Sequence, residues 1–581
     1  MTAARHVAVV GAGPAGLAAA HAALAAGARV TLIDSAEQPG GQYHRTLPEA
    51  YAAERPGELQ HGWSAFERRR RQVLAHPRCT WLPETSVWAL ERPDQDGEGT
   101  ERPGRLQERP DQARKRSVGA PPRLHLLCGG PVDGSGRTRR TLDADALVLA
   151  TGAHDRVLPF PGWQLPGVYS AGAAQALAKG ERVVVGDRVV VAGSGPFLLP
   201  VAASLLEAGS RVREVLEAGT PGTVARGWSG RPWELASQLG KAAELKDCAA
   251  ALARHRVPYR LGRAVVEARG AGRVEEIVTA RLRPDWSVVP GTERTVTVDA
   301  LCVGHGFSPQ LELPVAAGCA LRGEQPGRGG TGEFVAVDDE QRTSVPCVFA
   351  AGEITGIAGA PAACAEGAVA GWTAAGGAPS VQPLRVLRRS RDQGRAFARR
   401  LARAHPVGAG WPGWLRLDTV VCRCEETDYR ALCEAFTSAA ESAPRVAKLG
   451  TRAGLGPCQA RICGPTVTEL RDRFAGRAAD GPAERPADGL PAATPHRRPI
   501  AQPIRLGELA SPAAALIDDE QHLPEGEQLG DASDQIPSDS KQRPSASDQT
   551  RTEDEQTRSR GEPTHIEGEQ SHPDSEQESD S

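Results

Sequence analysis

The sequence predicts an α/β protein built on two dinucleotide-binding βαβ units, followed by a small cysteine-bearing domain and a polar tail. Three observations carry this reading. Gly11-x-Gly13-x-x-Gly16 lies between a β-branched run and an alanine-rich stretch, a second turn stands at Gly193-Ser194-Gly195, and four cysteines are spaced Cys422-x-Cys424 and Cys458-x₄-Cys463. At 581 residues the chain can hold about three domains of roughly 100–200 residues each. A net charge of −3 and a pI near 6.6 leave no electrostatic footprint for nucleic acid. Twelve cysteines in so long a chain are not a disulfide framework, and a reducing, cytoplasmic setting is expected. Val7 to Ile33 is apolar, but Gly11, Gly13, Pro14 and Gly16 interrupt it and it contains His21 and Arg29. Without a basic leader it reads as strand, turn, helix and strand, and no transmembrane segment is expected.

Taken along the chain, His6–Val10 is a strand, Gly16–Ala26 a helix and Arg29–Ile33 a second strand. The polar stretch 91–117 repeats Glu-Arg-Pro-Asp-Gln at Glu91 and Glu108. Rich in proline and charge, it cannot bury enough apolar surface to order itself, and it reads as a disordered insertion between strands Ser86–Leu90 and Arg123–Cys128. Ala144–Ala150 is a strand ending at Thr151-Gly152. Arg188–Ala192 opens the second βαβ, with a helix at Leu198–Ala208 and a strand at Val212–Leu216. Ala300–Val303 and Cys347–Ala351 are further buried strands, and Ala360–Gly371 is a small-residue helix. Arg385 to Arg403 reads as a basic connector to the cysteine module at 415–475, and 476–581 as a mostly disordered tail.

The chemistry of the first turn follows from its glycines. Gly11 permits the tight turn, Gly13 lets the backbone approach a pyrophosphate, and Gly16 lets helix pack on strand. The helix N-terminus offers N–H groups to the phosphates, and Asp34 closes the next strand at the offset of a ribose-binding acid. Gly40-Gly41-Gln42, Ala150-Thr151-Gly152-Ala153 and Phe349-Ala350-Ala351-Gly352-Glu353 follow in that order. This arrangement resembles the Rossmann-like, two-dinucleotide-domain flavoproteins. The resemblance implies FAD bound by Gly11, Gly13, Gly16, Asp34, Gly41, Gln42, Thr151, Gly152, Gly352 and Glu353. Glu353 would hold a ribityl hydroxyl, and the helix after it would face the flavin pyrimidine edge.

The second turn departs from the pattern. Leu198 stands where a third glycine belongs, Pro200 sits in the first helical turn, and Glu217 is the acid ending the next strand. Gly193, Gly195 and Glu217 are the candidate residues for NAD(P) or another nucleotide, with a site kept only as scaffold the alternative. Glu217 at a ribose would favour NAD over NADP by repelling a 2′-phosphate.

Two close pairs of cysteines suit an iron–sulfur cluster. Zinc usually takes pairs separated by two to four residues; the single-residue gap at Cys422–Cys424 is too tight to be typical of it, though the x₄ gap at Cys458–Cys463 would pass. Val-Val-Cys-Arg-Cys-Glu-Glu at 420–426 and Gly-Pro-Cys-Gln-Ala-Arg-Ile-Cys-Gly-Pro at 456–465 resemble the bacterioferritin-associated-ferredoxin-like [2Fe–2S] domain. Cys422, Cys424, Cys458 and Cys463 would be its ligands, with Arg423, Lys448, Arg452 and Arg461 offsetting the cluster charge. Cys433 falls on an apolar stripe with Tyr429, Leu432 and Phe436 and reads as helix core. Cys302, Cys347 and Cys364 read as buried, and no Cys-x-x-Cys stands beside either nucleotide unit, which removes dithiol chemistry. His154 and His305 follow strands near the expected flavin but carry no catalytic signature.

Ala-Thr-Gly-Ala-His-Asp-Arg at 150–156, the run from Pro159 to Lys179, Gly-His-Gly-Phe-Ser-Pro at 304–309 and Pro-Ile-Arg-Leu-Gly-Glu-Leu-Ala at 503–510 resemble an FAD-binding component shared by several complexes. It is that of opine oxidase, hydrogen cyanide synthase and proline or hydroxyproline dehydrogenase, and it forms part of the alpha chain of sarcosine oxidase. The resemblance implies domains at 1–180 and 306–380 for FAD, 181–305 for the second nucleotide, a linker at 381–414 and [2Fe–2S] at 415–475. It also implies that C–N oxidation belongs to an amino-acid-oxidase-like flavoprotein partner, often with a small ferredoxin-like subunit. The competing readings are a free-standing NAD(P)H-dependent reductase and a redox-sensing regulator.

Overall fold

The computed structural model describes residues 4–48, 51, 54–58, 60–92, 120–130, 136–230, 239–323, 333–378, 382–438, 444–474, 496, 498 and 500–515. β1 (His6–Val10), α1 (Pro14–Ala25) and β2 (Arg29–Ile33) form the predicted βαβ, followed by β3 (Cys79–Leu82) and β4 (Ala146–Leu149). They make a parallel sheet in the order Val348–Ala350, β4, β1, β2, β3. Every residue of β1 is buried, as expected of a parallel strand covered on both faces. The cover on one side is α1 against the later helix Ala360–Ala374. Both are rich in Ala and Gly, so their backbones meet closely. A Cβ added at Gly367 or Gly371 would overlap the carbonyl of Ala15 or Ala19.

The second sheet is built the same way. β5 (Val168–Ser170), β6 (Arg188–Gly193), α2 (Leu198–Glu207), β7 (Arg211–Glu217), α3 (Pro221–Ser229), β8 (Tyr259–Leu261) and β9 (Ala300–Gly304) follow in chain order. The strands stand parallel in the order β8, β7, β6, β9, β5. The second domain therefore recruits β5, upstream of the boundary at 181 that the sequence suggests. Two short antiparallel strands, Ala153–Asp155 and Phe307–Pro309, carry the chain between the domains in each direction.

Three further expectations change in the structure. The stretch 381–414 is no bare linker: Gln382–Ala404 forms a 23-residue helix, α5, packed on α4 (Ala360–Ala374) and on α3. Its composition is basic because one face is solvated, while Leu384, Arg391, Arg400 and Ala404 turn inward. Part of the tail is also ordered. Arg137 grips Glu508 through two hydrogen bonds of 2.9 and 2.8 Å, and Ala514–Ala515 adds a strand beside Thr138–Leu142. Within the proposed insertion, Glu91 completes strand Ser86–Glu91; 93–119 lie outside the described residues, as do 516–581.

The cysteine module runs from strand Val420–Cys422 through α6 (Tyr429–Ser438), α7 (Pro444–Thr451) and α8 (Gly464–Phe474). Its core is shared with the second domain. Leu432, Phe436, Cys463 and Leu470 pack in one cluster with Trp286, Trp411 and Trp414. Cys433 is only half-buried because the helix core runs through Leu432 and Phe436 beside it. Cys302 is buried as expected, whereas Cys347 and Cys364 are half-buried, each facing an arginine, Arg5 and Arg69 respectively. Among the described residues no helix is long and apolar enough to cross a membrane.

Candidate functional site

A cavity of about 3050 Å³ runs along the C-terminal ends of both sheets and past both glycine turns. Such a crevice at strand ends is where open α/β folds bind ligands. Of the sequence-predicted residues, Gly11, Gly13, Asp34, Gly41, Gln42, Thr151, Gly152, Gly195, Gly352 and Glu353 line it. Gly16, Gly193 and Glu217 do not.

At the first turn the backbone is built for close approach. Gly13 and Gly41 face each other, and a Cβ on Gly13 would have only Gly41 Cα near it, at 3.8 Å. Gly16 lies behind, where a Cβ would run into the Gly11 carbonyl, so its role is helix–strand packing. Asp34 accepts hydrogen bonds from the Ala12 N–H at 2.5 Å and the Ala36 N–H at 2.8 Å. Burial pushes its carboxyl pKa up, and those backbone donors oppose the shift. Arg45, unnoticed in the sequence, holds the Gln42 side-chain oxygen through Nε (3.1 Å) and Nη2 (2.6 Å) and lines the cavity. Lys179 is buried in the same wall, 5.9 Å from the centre of the Tyr43 ring. These cationic groups beside opposed glycines fit the pyrophosphate of FAD.

Across the cavity, Gly352 turns with φ +83°, a conformation favouring glycine. The Glu353 carboxylate accepts the Gly359 N–H at 2.9 Å, which folds the loop 353–359 and fixes the entry to α4. The residue that holds the turn is one the sequence did not declare. Buried Glu366, on α4, accepts the Gly352 N–H at 3.0 Å and the Thr355 hydroxyl at 2.5 Å through one oxygen. Its other oxygen accepts from Arg395 Nε on α5 at 2.9 Å. Arg395 continues to the Gln341 side-chain oxygen at 2.8 Å, and Gln341 donates to the Ala350 carbonyl at 2.8 Å. No motif marks this set, because its members are spread from 341 to 395.

Between the domains, Thr151 donates to the Gln310 carbonyl at 2.9 Å. Asp155 accepts the Ser170 hydroxyl at 2.5 Å and the Gly172 N–H at 2.9 Å, and its pKa is raised, mainly by burial. His154 and His305 are both held neutral by burial, pushed down to about 4 and about 3. His154 lines the cavity beside His496.

At the second turn, Gly195 lines the cavity but Glu217 is fully buried. Its oxygens accept the Gly195 and Gly219 N–H groups, each at 2.8 Å. The Tyr259 hydroxyl lies 3.4 Å away and His405 Nδ1 3.2 Å away.

The four cysteines of the module come together. Cys463 lies within hydrogen-bonding reach of both Cys422 and Cys458, and this contact pulls their pKa values down to about 6 and about 5, while Cys463 itself is pushed up. Cys424 lies against Cys458 and is raised, first by burial. Among the described residues no group of three or more His, Cys, Asp or Glu side chains is arranged to hold a metal ion. A two-iron cluster asks for a different set, two thiolates for each iron, and the converging thiols fit that demand. The neighbouring cations are otherwise engaged. Arg423 stacks 4.9 Å over Trp163, Arg452 pairs with Glu425 at 2.7 Å, and Arg461 pairs with Glu312 at 3.0 Å. Burial lowers the pKa of Lys448. Ile462 and Pro465, close on either side of Cys463 in sequence, line the same cavity as the first turn.

Residues 5–367 match the pyridine nucleotide-disulphide oxidoreductase family. An opine oxidase subunit of Rhizobium meliloti is 31% identical over 516 residues, 87% of each chain. The hydrogen cyanide synthase subunit HcnB of Pseudomonas protegens is 29% identical, over 78% of this chain and 89% of its own. L-proline dehydrogenase from P. horikoshii shares the fold, with a TM-score of 0.56 at 18% identity, covering 87% of this chain and 79% of its own. The chain thus belongs to the pyridine nucleotide-disulphide oxidoreductases, in the family of FAD-dependent oxidoreductase subunits represented in opine oxidase and hydrogen cyanide synthase.

Proposed function

We propose that this chain is the electron-relaying subunit of a heteromeric amine or amino-acid dehydrogenase, with FAD along the first turn and a [2Fe–2S] cluster on Cys422, Cys424, Cys458 and Cys463. The observation that carries it is the shared wall: the cavity lined by Gly13, Gly41 and Gly352 is also lined by Ile462 and Pro465, beside Cys463. When bound, FAD supplies a two-electron acceptor and the cluster a one-electron carrier, so that pairs of electrons leave singly.

The chain's own residues prepare that exchange. Gly13 and Gly41 open the pyrophosphate cradle, Arg45 and Lys179 place positive charge beside it, and Glu366 with Arg395 pins the Gly352 turn. Glu469 on α8 joins the module to the interdomain strands. It pairs with Arg156 at 2.8 Å and accepts from Trp411 Nε1 at 2.9 Å. Ion pairs buried this deeply hold geometry more than they add stability. Cys422 is fully buried and Cys424 exposed, so the thiol set reaches from the interior to the surface. A one-electron partner would meet it there.

The relatives that serve as subunits of opine oxidase and hydrogen cyanide synthase support a complex. In it an amino-acid-oxidase-like flavoprotein, with or without a small ferredoxin-like component, removes hydride equivalents from the C–N bond. We place the protein in the cytoplasm, where thiolates stay reduced to hold iron. The test has two arms. The purified chain should carry about two irons, lost on Cys463→Ser and retained on Cys433→Ser. Stoichiometric zinc without iron would refute the cluster. In the second arm, opines, proline, hydroxyproline, sarcosine or glycine should reduce its flavin only with the co-expressed partner. Rapid anaerobic reduction of the isolated chain by one of these amines would make it the catalytic subunit itself.

A further inference from the structure

The second glycine turn differs from the first in how its donors are used. At the first, Asp34 takes the Ala12 N–H and leaves the second glycine, Gly13, facing the cavity. At the second, the longer Glu217 reaches the second glycine itself, taking the Gly195 N–H at 2.8 Å. Beyond it, Pro196, like Pro14 at the first turn, has no N–H to offer, and at the second turn Pro200 has none either. Leu198 N–H is turned to the Gly195 carbonyl at 3.3 Å and Leu199 N–H to the Pro196 carbonyl at 3.1 Å. Of the six residues 195–200, three amides are engaged within the protein and two are prolines. A dinucleotide pyrophosphate depends on those amides.

The ribose end is filled as well. Glu217 has no exposed surface. His405, just past the end of α5, lies with Nδ1 3.2 Å from its Oε2. Trp228 Nε1 donates to His405 Nε2 at 3.3 Å, which fixes the ring with Nδ1 on the side of the carboxylate. Trp228 belongs to α3, the helix that follows Glu217. Its ring lies 5.7 Å from Phe397 on α5, and its carbonyl accepts from Arg400 at 3.0 Å. Gly227 completes the contact, since a Cβ there would overlap the backbone of Ala404.

We infer that the second turn takes no pyridine dinucleotide and serves instead as a joint, with Glu217 as the buried hub that fastens α5, and so the cysteine module after it, to the second domain. The free-standing NAD(P)H reductase is thereby disfavoured, and electrons reach this chain's flavin from a partner. The inference stands on residues 195–228, 259 and 397–405 and does not depend on iron in the module.

The experiment uses the full chain with FAD in place. Titration with NADH or NADPH, followed by calorimetry, should give no saturable heat, and anaerobic NADH or NADPH should leave the flavin absorbance unchanged. Binding of one nucleotide per chain, or stoichiometric bleaching, overturns the first half. For the joint, Glu217→Gln, His405→Gln and the double variant are compared by thermal unfolding. The double variant should lose no more than the larger single loss, and additive losses overturn the second half. Where Glu217→Gln does not fold, Tyr259→Phe with His405→Gln supplies the same cycle. Loss of iron or of partner-dependent amine oxidation would count against the relay function without touching this inference.

Discussion

Two turns of the same pattern, Gly11-x-Gly13 and Gly193-x-Gly195, end in opposite states. Both join a buried parallel strand to a helix, and both are followed by a strand ending in an acid. The first keeps its second glycine open to the cavity, with Arg45 and Lys179 near by. The second also lines the cavity at Gly195, but that glycine's N–H is spent on its own acid, which is buried beside Tyr259 and His405. One methylene, Glu217 in place of Asp, decides which backbone donor is reached. A fingerprint therefore describes a backbone shape, while the donors left unengaged decide what binds.

The largest effect should come from introducing the same side chain at both turns. Gly13→Val is expected to abolish FAD retention, because the isopropyl group fills the space facing Gly41. Gly195→Val is expected to leave the flavin bound even where it costs stability. Flavin absorbance after gel filtration reads both, and equal loss from both variants would erase the distinction drawn between them.

A second, smaller effect should separate the turns by their support. Glu366→Ala removes the acceptor for Gly352, Thr355 and Arg395. Hydrogen bonds to a charged group are worth roughly 1.5–3 kcal/mol each. FAD affinity should fall by at least about tenfold, which corresponds to about 1.4 kcal/mol. Fluorescence titration of the apoprotein with FAD measures it, and an unchanged affinity would show that the Gly352 turn holds without that carboxylate.

The smallest effect concerns the second domain as a platform. Arg416, at the start of the cysteine module, donates to both oxygens of Glu267 on the second domain at 2.9 Å. Hydrogen bonds from Arg269, and then Arg416, hold the Glu267 carboxyl down to about 2. A carboxyl depressed on folding contributes stability above its unfolded pKa and loses it as pH falls through the folded value. Because Arg416 is largely exposed, solvent screening keeps the pair below about 1 kcal/mol. Arg416→Ala should lower unfolding stability slightly at neutral pH, with the difference shrinking as pH falls toward about 2 and vanishing only below it. A pH-independent loss in urea denaturation would mean that the arginine acts through packing alone.

Much of the fold was legible because its signals are local. β1, α1, β2, β6, α2 and β7 stand within a few residues of where hydrophobic runs and glycine turns place them. The cysteine spacing likewise marked thiols that do converge. What escaped was set by distant partners. The run of arginines in α5 reads as a connector because its solvated face dominates composition. Only the packed helix shows Arg395 reaching Glu366 and Arg400 reaching Trp228. The polar segment before Ser511 reads as tail until Arg137 meets Glu508 across 371 residues.

Short-range pattern was enough to specify the two α/β units, the family and the residue types able to cradle a pyrophosphate, since each depends on local periodicity and glycine spacing. Packing in three dimensions decided that Asp34 faces a cavity while Glu217 is sealed, that Glu366 and not Glu353 holds the Gly352 turn, and that Cys463 lies one residue from the cavity wall. These outcomes depend on which groups meet when separate elements pack. Whether a polar atom is free or already bonded is settled only by its neighbours in space.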